Sequence, residues 1–230
     1  GPVRLGRCDV SGSANGVYVL GDYAYVAAGV EGLRVIDVSD PENPHEVGYY
    51  DTPGTAYGVY VSGLLAFVAD GGAGLRIIDV SDPFNPHEVG YYDDVWCNSK
   101  EVYVVGTYAY VADGGEGLKV VDVSYPTNPE EVGSYNTPGD ACDLYIRGTY
   151  AYVADGEMGV RVVDISVPGD LHEVCYYDTP GYACCVSVWE FRVYVADGQA
   201  GLRVIDVSNL QNLIEIGYYD ALTDVRGVYV

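Results

Sequence analysis

Six short segments change their chemistry while the sequence around them hardly varies: Ser13–Gly16, Thr55–Gly58, Asn98–Glu101, Asp140–Asp143, Tyr182–Cys185 and Asp224–Gly227. The third residue of each is Asn15, Tyr57, Lys100, Cys142, Cys184 or Arg226. Thiols beside carboxylates, as at Asp140 with Cys142, are the ligand types of zinc and copper(I). A lysine beside a carboxylate, as at Lys100 and Glu101, is a pair for proton transfer. Neither pattern is complete. No histidine lies in any of the six segments to act as a third ligand or as the base for a nucleophilic cysteine. Adjacent side chains of a strand also point to opposite faces, which separates Lys100 from Glu101. The expectation is a chain with no catalytic residues and no required cofactor, a divalent cation at an acidic rim being the alternative.

Alternation sorts these residues. Positions two apart in a strand share a face, so Asp140 goes with Cys142 and Tyr182 with Cys184. Together with Lys100, Asp224 and Arg226 they form the candidate ligand-binding surface. Glu101, Asp143 and Cys185 are expected to point between neighbouring sheets. Drift in loops without a role is the competing reading, because surface loops vary freely.

Those segments are spaced by a repeat that must position them. One cassette recurs five times: VAAGVEGLRVIDVS from Val26, VADGGAGLRIIDVS from Val68, VADGGEGLKVVDVS from Val111, VADGEMGVRVVDIS from Val153 and VADGQAGLRVIDVS from Val195. Its aspartates Asp37, Asp79, Asp122, Asp164 and Asp206 lie 42, 43, 42 and 42 residues apart. A period near 40–45 with several strands per unit indicates a β-propeller, since one small sheet cannot bury both faces alone. In the repeat from Tyr57, GVYVSG, LAFVADG, GLRIIDVS and HEVGYYD read as four short strands separated by Gly, Pro, Asn and Asp. Four antiparallel strands make one blade, inner to outer. The fold class is all-β, a propeller of four-stranded blades in one domain over 1–230, with five repeats over 20–230 and a partial one over 1–19. Each varied segment enters an inner strand, where loops on a rigid scaffold carry binding groups.

Repeated polar residues read as structure. Asp79 and its counterparts, and Asp70, Asp113, Asp155 and Asp197, sit at turns, where a carboxylate accepts backbone N–H groups. Repeat one has Ala28 in the second series. The paired tyrosines Tyr49-Tyr50, Tyr91-Tyr92, Tyr176-Tyr177 and Tyr218-Tyr219 are expected to pack between outer strands. His45, His87 and His172 share one repeat position and read as surface residues.

Thirty-four acidic against eleven basic residues give a net charge of −23. That field repels phosphate backbones and argues against nucleic acid as a partner. No apolar run reaches the length of a membrane helix. Gly1-Pro2 resembles what a protease leaves after tag removal, so the lack of a leader carries no weight. Six cysteines without C-x-x-C spacing form neither a disulfide framework nor a zinc ribbon.

The motif G-L-R-V-I-D-V-S-D-P, preceded by V-Y-V-x-G-x-x-A-Y-V-A-D-G, resembles the LVIVD-repeat family over essentially the whole chain. The resemblance implies a β-propeller of bacterial or archaeal cell-surface proteins, extracellular and usually one module of a longer polypeptide. It carries over no catalytic residues, and implies a binding or scaffold role toward an unidentified protein or glycan. Departures are Ala28 and the VPGDLHE loop after Ser166. At the ends, VRLGRCD aligns with an outer strand and GVYV (227–230) with an inner one. Five blades are expected, the spare strand closing the last blade, being displaced, or serving oligomerisation. Six blades with an incomplete sixth are the alternative.

Overall fold

The computed structural model describes residues 4–93, 96–220 and 223–230. Among them are twenty strands and no helix, arranged as five four-stranded antiparallel sheets. No helix is long and apolar enough to cross a membrane. Each repeat makes one blade from four consecutive strands. The first blade has β1 (Gly16–Leu20), β2 (Tyr23–Ala27), β3 (Leu33–Asp37) and β4 (His45–Tyr50). The second has β5 (Gly58–Ser62), β6 (Leu65–Ala69), β7 (Leu75–Asp79) and β8 (His87–Tyr92). The third has β9 (Glu101–Val105), β10 (Tyr108–Ala112), β11 (Leu118–Asp122) and β12 (Glu130–Tyr135). The fourth has β13 (Asp143–Arg147), β14 (Tyr150–Ala154), β15 (Val160–Asp164) and β16 (His172–Tyr177). The fifth has β17 (Cys185–Trp189), β18 (Arg192–Ala196), β19 (Leu202–Asp206) and β20 (Ile214–Tyr219).

Burial explains the sequence pattern strand by strand. The two middle strands of a blade, such as β6 and β7, are covered on both faces and read as near-continuous apolar runs. The outer strand β16 alternates exposed and half-buried residues. The inner hairpin turns hold Gly21, Gly63, Gly106 and Gly148 at φ of 60°, 61°, 61° and 62°. In the fifth blade Glu190 takes that place at φ 52°, alone among the described non-glycine residues in having a positive φ. The inner-to-outer registers are regular except for a bulge in the last pair, for example between Val162 and Val163.

Contacts divide the chain into two compact units, Gly1–Thr107 with Val123–Glu130, and Tyr108–Asp122 with Glu131–Val230. In the first, the core lies between blades: Tyr25, Leu33 and Val35 pack on Val59, Val61 and Val68. In the second, Tyr152, Val160 and Val162 pack likewise on Val186, Val188 and Val195. A backbone pair ties each blade to the next, Gly29 with Ala56 and Gly71 with Ser99 in the first unit. Gly114 with Ala141, Gly156 with Ala183 and Gly198 with Val225 do so in the second.

The ends correct one expectation. No end segment completes the last blade, because β20 already fills the outermost position of that sheet. Among the described residues, neither 4–10 nor 227–230 is a strand. Residues 4–10 nonetheless occupy the place of an outer strand: Cys8 and Val10 cover Ala24, Val26 and Ile36. A Cβ on Gly6 would lie 2.2 Å from the Pro41 carbonyl, as one on Gly48 would lie 2.1 Å from that of Pro83. The spare segments are displaced from any sheet.

Candidate functional site

In the second unit three of the varied segments are pinned by the same backbone device. Ala141, Ala183 and Val225 each exchange two hydrogen bonds with the turn glycine of the preceding blade. Ala141 and Ala183 are fully buried, which is why that position is small or apolar in every repeat. The Cys142 and Cys184 amides then donate to Ala154 and Ala196, each at 2.8 Å, starting the inner hairpins.

These anchors set the side chains of the candidate residues in a row. The Tyr182 hydroxyl donates to Asp140 Oδ2 at 2.9 Å, bridging the fifth blade's segment to the fourth's. Cys142 Sγ lies 3.5 Å from the same hydroxyl and donates to the Asp140 carbonyl at 3.2 Å. Cys184 Sγ donates to the Tyr182 carbonyl at 3.1 Å. Arg226 Nε donates to Asp224 Oδ2 at 2.9 Å. Tyr182 lies flat across Gly156, where a Cβ would stand 3.0 Å from its ring. Burial, and then its bonds to Cys142 and Asp140, push the Tyr182 phenol far up, so it keeps its proton. Burial also raises the Cys184 thiol, and the Asp224 charge adds to this.

Six of the seven candidates thus share one surface of the second unit: Asp140, Cys142, Tyr182, Cys184, Asp224 and Arg226. The seventh, Lys100, belongs to the first unit. There its ammonium sits 4.6 Å from the centre of the Tyr57 ring, and that ring lies against Gly71. Next to it Asn15 donates to the Ala56 carbonyl at 2.9 Å.

The three residues assigned to the other face lie between inner strands. Asp143 Oδ2 accepts from the Val186 amide at 2.7 Å and Oδ1 from Leu144 at 2.8 Å. Cys185 Sγ meets the Val228 carbonyl at 3.6 Å and its amide at 3.5 Å. The Glu101 carboxylate fills the space left by Gly58, where a Cβ would stand 2.5 Å from Oε1.

Sequence reasoning passed over a second group. Tyr18, Tyr60 and Tyr103, on β1, β5 and β9, meet as tilted rings with successive centres 4.7 Å apart. Burial and hydroxyl contacts with both neighbours push Tyr60 far up. The recurring V-Y-V of the inner strand was the available signal, since alternation puts these tyrosines on the face opposite the flanking valines.

The two turn-aspartate series also separate. Asp70, Asp155 and Asp197 are fully buried, and each accepts a threonine hydroxyl and a glycine amide from the segment leaving the preceding blade. Asp37, Asp79, Asp164 and Asp206 lie near the surface and accept the amide two residues on. No group of three or more His, Cys, Asp or Glu able to hold a metal ion occurs among the described residues. All six cysteines carry thiols. The first tyrosine of each pair departs from the expected packing between outer strands: Tyr49, Tyr91, Tyr176 and Tyr218 are exposed and lie over the buried Arg34, Arg76, Arg161 and Arg203.

Solved structures share the fold at low identity. The computationally designed Ika8 protein matches 90% of this chain at 9% identity and a TM-score of 0.71. The chain spans only 63% of that protein. A Bacteroides uniformis protein named as a candidate 6-phosphogluconolactonase matches 92% of the chain at 13% identity and TM-score 0.76, with 70% of its own length covered. The designed Ika4 protein matches 68% of the chain at 12% identity and TM-score 0.53, with 94% of its own length covered. Such identities speak for fold alone. No curated protein matches. The LVIVD repeat profile matches residues 11–52, 53–94, 98–137, 138–179 and 180–221, nearly the whole chain, and this protein belongs to the LVIVD-repeat family.

Proposed function

We propose that this chain is a non-catalytic binding module of a larger cell-surface protein, recognising a protein or glycan partner through its varied inner-strand segments. One observation carries the reading. The blades are near-identical except in those segments, and in the second unit the divergent residues join into a single row from Asp140 to Cys184, with Asp224 and Arg226 beside it. The row presents an aromatic face, a carboxylate pair and an exposed guanidinium, which suit a partner rich in hydroxyl and amide groups. Its proton-holding phenol and the raised Cys184 thiol are poor nucleophiles, which favours recognition over covalent chemistry. The acidic surface and the family support a role outside the cell.

The test is binding of labelled chain to arrays of oligosaccharides and of surface proteins, beside the double variant Tyr182→Ala/Arg226→Ala. Retained far-UV circular dichroism with lost binding is the expected result. Unchanged binding would overturn the location. Stoichiometric zinc, copper or calcium in protein purified without chelator would replace the reading with a metal-dependent one.

A further inference from the structure

One inner hairpin turn departs from its counterparts in three ways at once. Its flanking residues are Trp189 and Phe191, 58% and 63% exposed. The corresponding pairs in the other blades are Leu20 with Asp22, Ser62 with Leu64, Val105 with Thr107 and Arg147 with Thr149. Its centre is Glu190 at a φ of 52°, where those blades have glycine. Third, Arg147 reaches over from the same turn of the fourth blade, its guanidinium 5.7 Å from the centre of the Phe191 ring. The exposure is a property of the turn itself. Ser62 and Leu64 are exposed likewise in the second blade, which has a neighbour on either side within its own unit.

Charge sets Arg147 apart as well. In the second unit Lys119, Arg161, Arg192, Arg203 and Arg226 each face a carboxylate at 3.9 Å or less. Arg147, the remaining cation of that unit, is exposed and faces none among the described residues. In a chain of net charge −23 an unpaired guanidinium is the exception. Glu190 does not neutralise it, being paired with Arg192 at 3.9 Å. At physiological salt the screening length is about 8 Å, so a bound anion responds to this local cation more than to the distant carboxylates. Strain is retained where a structure has a use for it. A side chain at position 190 narrows the turn's backbone freedom, so the two rings are presented in one fixed arrangement.

We propose that this turn is a second binding site, for an oligosaccharide of carboxylated sugars. The sugar carboxylate pairs with Arg147, whose planar fork matches it in two hydrogen bonds. The apolar C–H faces of the sugar rings lie on Phe191 and Trp189. Size favours a saccharide over a protein. A stable protein interface covers about 800 Å² on each partner around an apolar core. Two rings on one turn, edged by Thr149, Glu190 and Arg192, fall short of that and match a few sugar rings. The site stands apart from the inner-strand row, since the hairpin turn and the entering segment lie at opposite ends of the same strand.

Calorimetric titration of the full chain at physiological salt tests this, with oligomers of galacturonate, glucuronate and mannuronate and with their methyl esters. At least one acid is expected to bind, and its ester, which keeps the rings and loses the charge, to bind about tenfold more weakly. Arg147→Gln is expected to cost about the same factor, and Trp189→Ala/Phe191→Ala to abolish binding. These side chains are exposed, so both variants keep the circular dichroism spectrum of the parent. Tyr182→Ala/Arg226→Ala leaves the affinity unchanged, which separates this site from the inner-strand row. Binding of none of the acids, equal affinity for acid and ester, full affinity in either turn variant, or loss of affinity in the inner-strand variant would each overturn the proposal.

Discussion

The Thr137 hydroxyl donates to Asp155 Oδ1 at 2.5 Å across eighteen residues, both groups being buried. The same carboxylate accepts the Gly139 amide at 3.0 Å and faces Arg161 at 3.6 Å. A Thr-Pro-Gly segment leaving one blade is thereby locked onto the turn of the next, and Thr52 with Asp70 and Thr179 with Asp197 repeat the device. The first repeat lacks both partners together, with Val10 and Ala28 in their places. The third repeat keeps the buried Asp113 with Val95 at the threonine position, so the two partners are not always lost together.

Thr137→Val is expected to lower stability by about 1–3 kcal/mol, the cost of an unmatched buried acceptor. Asp155→Ala removes the partner of a hydroxyl, an amide and a guanidinium at once and is expected to cost about 3–5 kcal/mol. Urea unfolding of both variants checks the order. A milder effect for Asp155→Ala than for Thr137→Val would contradict this account.

Gly133→Ala places a methyl 2.1 Å from the Pro168 carbonyl, whereas Gly217→Ala, the same outer-strand position in the fifth blade, enters open space. The first is expected to cost about 1–3 kcal/mol through overpacking, the second to leave the thermal midpoint nearly unchanged. Equal losses would show that the outer strand needs glycine for its backbone and not for packing.

Glu190 holds a left-handed conformation that four other blades give to glycine. A side chain there costs about 1–2 kcal/mol, partly offset because glycine loses about 0.5–1 kcal/mol of chain entropy on folding. Glu190→Gly is therefore expected to raise stability by a fraction of a kilocalorie to about 1 kcal/mol. A lower unfolding midpoint in denaturant would mean that the side chain contributes contacts outweighing the strain.

Burial raises the carboxyls of Asp70, Asp155 and Asp197, while the Ser39, Ser81, Ser166 and Ser208 contacts lower those of Asp37, Asp79, Asp164 and Asp206. A raised acid binds its proton more tightly in the folded state, so it disfavours folding only as pH rises through its range. A lowered acid contributes stability above its unfolded value and loses it as pH falls through the folded one. Stability should hold or rise from neutral pH toward the ordinary carboxylate range of about 4 and fall below it. Urea midpoints across that range check it; a decline beginning above the carboxylate range would contradict the assignment.

Much of the site was legible because strand alternation is a strict rule. It placed Asp140 with Cys142 and Tyr182 with Cys184, and turned Glu101, Asp143 and Cys185 to the opposite side, as found. It did not separate the two aspartate series. Asp70 follows the strand β6 and Asp79 ends β7, both just before a turn, yet Asp70 is buried and Asp79 is half-buried. Nor did it reveal that Tyr182 reaches Asp140, since that bond depends on the spacing of two blades forty-two residues apart.

The sequence by itself determined the strands, the turns and the five blades, because each is set by local residue types recurring at a fixed period. It also determined family membership, carried by the repeated cassette. Only the tertiary structure decided which equivalent residues are equivalent in environment. Val17 and Val59 have the same type and the same strand position, yet the first is exposed and the second is buried against Leu33 and Val35. Burial is a property of what stacks on a face, and no single repeat encodes its neighbour.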